Sequence, residues 1–106
     1  MSSKIENEVL TEFKYIAKPL MELGLYDSTK EFIRDVTSEF IKHKIEIYKK
    51  QLKAFEQKYR MSFDAFSRKL KKGASIAEED EWMEWEAAEN MLKAWKQAAR
   101  ETGISA

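Results

Sequence analysis

Along this chain apolar residues recur at steps of three and four, the signature of one helix face, and no stretch alternates as a strand does. Val9, Phe13, Ile16, Leu20 and Leu23 define a first helix over 5–23. Pro19 lies inside it, lacks a backbone donor and crowds the preceding turn, so a kink or break is expected near Lys18. Gly24 is the natural stop. Ser28 and Glu31 then form an S-x-x-E capping box that opens a long helix over 28–59, in which no Gly or Pro occurs. Its seam is Ile41, Ile45, Tyr48, Leu52, Phe55 and Tyr59, the heptad spacing that packs against another helix. A second stripe, Phe32, Ile33, Val36 and Phe40, is offset by one residue, so the two halves of this helix are expected to face different neighbours.

Arg60 to Ser62 interrupt the long helix, and Ser62 caps a short one over 62–72 with Phe63, Phe66 and Leu70 on one side. Met61 and Phe66 stand where a hydrophobic staple requires them. Gly73 ends that element, and a second capping box, Ser75 with Glu78, opens a last helix over 76–102. Trp85, Ala88, Leu92, Trp95 and Ala99 form its seam, with Trp82 one turn earlier and Gly103 at its end. The fold class expected is all-α: a single domain, 1–106, shaped as an elongated helical hairpin or bundle around one long central helix.

Length turns the long helix into a question about partners. Some 32 helical residues span roughly 48 Å at 1.5 Å per residue, against a diameter of roughly 34 Å for a compact domain near 100 residues. Either the helix bends, or its seam is completed by a second copy or another protein. A homodimer is therefore expected, with Ile41, Ile45, Tyr48, Leu52, Phe55 and Tyr59 as its interface. Trp82, Trp85 and Trp95 read first as core at this helical spacing, and they are also candidate interface residues because aromatic side chains dominate binding hot spots.

Composition narrows the chemistry. The 106 residues carry 19 basic and 19 acidic side chains and no Cys, which excludes disulfides, thiolate metal sites and Cys nucleophiles, and points to the cytoplasm. No apolar run approaches a membrane span. The neutrality is assembled from opposed blocks: +8 over residues 42–72, where 11 basic side chains meet 3 acidic ones, and −7 over 73–92, which hold no basic residue. Within the basic block Lys49, Lys50 and Lys53 are the candidate contacts to a polyanion, the basis of an alternative reading as a nucleic-acid-binding regulator. The only His, His43, has no partner with metal-ligand spacing, and the glutamates of the last helix lack the E-x-x-H motif of di-iron bundles. No catalytic residue, cofactor or metal site is assigned.

Two resemblances add to this. Gly24-Leu25-Tyr26-Asp27-Ser28 followed by Glu31-Phe32-Ile33-Arg34 resembles the turn and second helix of ribbon-helix-helix antitoxins, in which a preceding strand reads the DNA major groove. The corresponding stretch here, Glu8 to Phe13, holds two Glu and no Lys or Arg, and reads as helix. Taken whole, the chain is similar to small helical prokaryotic proteins with a Met-Ser-Phe-x-x-Phe segment, here Met61 to Phe66, and an acidic Trp-x-x-Trp segment, here Asp80 to Glu86. Some of those proteins are proposed antitoxin components. That likeness implies no established activity; the uncovered seam and the turn together lead to the expectation of a non-enzymatic protein-interaction module, the antitoxin-like member of a toxin–antitoxin pair with a toxin-like protein partner, and the plainer alternative is a structural helical dimer.

Overall fold

The structure, a computed structural model, describes residues 3–103. It consists of four helices: α1 (Ser3–Glu22), α2 (Thr29–Tyr59), α3 (Phe63–Leu70) and α4 (Ile76–Thr102). No strand occurs among the described residues. The all-α class is as the periodicity predicts. Where the sequence reading takes one domain, the chain gathers into two compact units, Met1–Thr37 and Ser38–Ala106.

In the first unit, α1 meets the opening turns of α2 around Phe32, which is buried. Phe13 and Tyr26 both present ring edges to Phe32, at centroid distances of 5.7 and 5.2 Å, a favoured aromatic geometry. Ala17 is buried, and the Tyr26 hydroxyl donates to the Asp35 carboxylate. The expected break at Pro19 does not occur: α1 runs through it to Glu22. Pro19 sits in the final turn, so little helix remains beyond it to be disturbed. Gly24, at φ 74°, then closes α1 by donating its N–H to the Met21 carbonyl at 3.1 Å. The Ser28 cap forms as expected, its hydroxyl accepting from Glu31 N–H at 3.1 Å. The returning Glu31 carboxylate, however, takes the N–H of Asp27 at 3.0 Å, one residue earlier than a standard capping box.

The second unit contains the rest of α2 with α3 and α4. Ile41 and Ile45 pack with Ala99, and Leu52 packs with Ala88, so α4 runs antiparallel to α2. The central side chain is Trp85, fully buried at 0 % exposure with Phe66. Its ring lies 5.3 Å from Phe55, 5.5 Å from Phe63, 5.4 Å from Phe66 and 6.1 Å from Tyr59. One indole thereby joins α2, α3 and α4.

Local signals place these elements. Arg60, at φ 54°, ends α2 in a left-handed conformation more often left to Gly. Ser62 accepts from Ala65 N–H and starts α3, while Met61 and Phe66 join the same core cluster, as a staple should. At α4 the complete box is present: Ser75 Oγ accepts from Glu78 N–H at 3.1 Å and Glu78 Oε1 accepts from Ser75 N–H at 3.2 Å. Gly103, at φ 74°, caps the far end.

The Trp85 and Trp95 indole N–H groups are buried without an acceptor, a cost of about 1–3 kcal/mol each that burial of the ring must exceed. Trp85→Ala is therefore expected to destabilise the chain by about 3–5 kcal/mol in urea unfolding. Trp85→Phe should cost clearly less, because it removes the unpaired donor along with the lost volume.

Candidate interaction surface

The residues expected at a dimer seam do not form an exposed surface. Ile41, Ile45, Leu52 and Trp85 are buried. Tyr48, Phe55, Tyr59, Trp82 and Trp95 are half-buried and pack on the same two clusters within the chain. This corrects the length argument: α4 has 27 residues and lies along α2 from Ile41 onward, so the seam needs no second copy to cover it. Trp82 also has its indole N–H satisfied internally, donating to Ser67 Oγ at 2.7 Å. Ser67 in turn donates to the Phe63 carbonyl at 2.8 Å.

Lys49, Lys50 and Lys53 are exposed on α2. Lys49 and Lys53 are one turn apart and share a face, while Lys50 is turned from Lys49 by about 100°. Glu46 and Glu56 flank the lysines on the same helix. The three lysines lie on one side of α2, within about 100° of one another, and the two glutamates interrupt that side. Elsewhere the basic block meets the acidic one directly, through Lys58 with Glu81 and Lys69 with Glu78 at 3.8 Å. Exposed pairs of this kind contribute about 0–1 kcal/mol each, so they orient α4 more than they hold it.

Among the described residues no group of three or more His, Cys, Asp or Glu is placed to hold a metal ion, and His43 is exposed. No helix among them is long and apolar enough to cross a membrane. The concavities are shallow. A groove of about 410 Å³ lies between α3 and α4, lined by Leu70, Lys71, Ala74, Trp82 and Met83. Another of about 630 Å³, with Glu56, Asp64, Glu86, Glu89 and Lys93 on its walls, is dominated by carboxylates.

What the structure leaves open to water lies earlier in the chain. Among the described residues 14 large apolar side chains are exposed, and 11 of them fall between Ile5 and Phe40. On α1 the apolar stripe is wider than its contact with Phe32. Ala17 and Phe13 turn inward, while Val9 is 62 % exposed, Ile16 65 % and Leu23 69 %, with Ile5 and Leu20 beside them. On α2 the offset stripe is open at Ile33, Val36 and Phe40. Phe40 does touch the Trp95 ring edge-on at 5.6 Å and carries Lys44 over its face at 5.5 Å. Sequence reasoning identified both stripes as apolar faces but assigned the unfilled interface to the wrong half of α2. The signal available was arithmetic: α4 is long enough to cover α2 from Ile41 to Tyr59, and no further helix remains for α1.

No protein-family model matches this chain, and neither does any curated protein or solved structure.

One electrostatic feature can be tested directly. The Glu78 carboxyl is held below its ordinary value of 4.5, first by the Ser75 backbone N–H, then by the Ser75 side chain and Lys69. A lowered pKa in the fold means that the unfolded chain binds more protons in the window just below 4.5, so this contribution is intact at neutral pH and fades as acid protonates the folded carboxylate. Unfolding measured across that window should show a loss of stability on acidification that Glu78→Gln flattens.

Proposed function

We propose that this chain is a non-enzymatic protein-interaction module, cytoplasmic and antitoxin-like in the sense that its exposed helices cover the surface of another protein. The observation that carries the reading is the number of exposed apolar side chains on α1 and the first turns of α2; the seam of the second unit, by itself, is filled. Large apolar side chains gathered on one helix face and left open to water are a feature of surfaces that meet another protein. The turn and helix start from Gly24 to Arg34 add the resemblance to antitoxins, and they frame Ile33 and Val36. Glu8 to Phe13 lies in α1, with no strand before the turn, so the support is for protein contact over DNA reading. The polyanion alternative through Lys49, Lys50 and Lys53 draws less support, because Glu46 and Glu56 break up its field.

The test is to purify the tagged chain from its native host, identify co-purifying proteins by mass spectrometry, and rebuild the complex from purified components. Ile33→Glu with Val36→Glu should weaken that complex by at least about tenfold while circular dichroism stays unchanged. Undiminished binding by this double variant would remove α2's offset stripe as the contact.

A further inference from the structure

Three of the large exposed apolar side chains stand apart from the rest: Ile76, Met83 and Met91 lie on α4, in the second unit. Ile76, Met83, Ala87 and Ala94 follow one another at steps of seven, four and seven, and all four are exposed. At about 100° per residue they point within about 40° of a common direction. Trp85, Ala88 and Ala99 are the buried side of the same helix, which puts this stripe on its outer side. Asp80 and Glu84 run along one flank of the stripe, and Glu79 and Glu86 along the other. The helix dipole favours Glu79 and Asp80 near the start of α4, but its pull fades within the first turn and leaves Glu84 and Glu86 unexplained. Among the described residues none of these four carboxylates enters an ion pair, and residues 73–92 hold no Lys or Arg. We propose that this face of α4 docks a basic amphipathic helix of another protein, with apolar side chains on the two methionines and Lys or Arg beside the carboxylates.

Shape and charge fit that occupant. Beside the stripe, between α4 and α2, lies a groove of about 490 Å³ whose lining includes Tyr48, Phe55, Glu84, Ala87 and Met91 and no cation. On the other side Lys71 lines the groove that Glu79 and Met83 share, so the partner's cations are best placed along Asp80 and Glu84. Methionine side chains adapt to differently shaped apolar partners, and an amphipathic helix laid in a groove is a recurrent mode of recognition. From Ile76 to Ala94 the stripe is about 27 Å long, the length of a helix of about five turns. The chain's own helices do not meet this description. No large apolar side chain is exposed on α2 beyond Phe40, so the Lys49 and Lys53 side of a second copy brings nothing to seat against Met83. α1 has exposed apolar residues but carries four Glu against three Lys, which sets negative charge against negative. A different protein fits where a second copy does not.

The methionines also supply the readout. The full chain, isotopically labelled at its methionine methyl groups, is titrated with a synthetic helix of about 18 residues that carries Leu on one face and Lys on the other. The Met83 and Met91 signals, assigned from Met83→Leu and Met91→Leu, should shift saturably with a dissociation constant below about 100 µM at about 0.05 M salt. Met21 on α1 and Met61 in the core cluster should stay in place. Asp80→Lys with Glu84→Lys, both at exposed positions, should weaken binding at least about tenfold while circular dichroism stays unchanged. A peptide of the same composition with its leucines scattered around the helix, and one with Glu in place of Lys, should each bind at least about tenfold more weakly. Undiminished binding by the double variant, equal binding of either control peptide, larger shifts at Met21 than at Met83, or no shift up to about 1 mM peptide would each overturn the proposal. These signals report on α4 alone, whereas the reading above rests on Ile33 and Val36, so either can fail while the other stands.

Discussion

The constraint on which the second unit depends is the burial of one indole. Trp85 lies within 5.3 to 6.1 Å of four aromatic rings, Phe55 and Tyr59 from α2 and Phe63 and Phe66 from α3. An eight-residue helix such as α3 is too short to persist alone in water, and here it is held by a ring on α4 that also anchors α2. The same packing uses up the apolar seam of α2 between Ile41 and Tyr59. Once that seam is filled from within, most of the large apolar residues left exposed are those before it. The location of the candidate surface thus follows from how the core is satisfied.

Much of the architecture was legible because it is local. Ser62 and Ser75 with Glu78 cap the helices they were expected to cap, and Gly24 and Gly103 end theirs in the left-handed conformation. The α4 seam of Trp85, Ala88 and Ala99 is the buried side of that helix. What the pattern did not contain is what covers each face. A heptad seam looks the same whether α4 or a second copy fills it, so Ile41 to Tyr59 were assigned to a dimer when they belong to the core. Arg60 in a left-handed turn is illegible for a different reason: arginine has no preference for that conformation, while Tyr59 and Met61 on either side of it both pack on the core cluster. Pro19 was read as a kink or break because helix interiors rarely accept proline, but α1 is not broken there, since at the last turn the penalty falls on few residues.

Charge plays a secondary part. The basic residues 42–72 and the acidic residues 73–92 meet through Lys58 with Glu81 and Lys69 with Glu78, all near the α3–α4 junction. Together with the Ser75–Glu78 cap, these contacts set where α4 begins relative to α2 and α3. The apolar cluster supplies the stability, and the charges select the register.

The central claim is that residues from Ile41 to Ala99 complete their own core within one chain. Amide hydrogen exchange of the full chain across a dilution series measures this directly. The account predicts that protection around Leu52, Phe66 and Trp85 stays constant at every concentration. Protection of the Trp85 core that falls on dilution would contradict it.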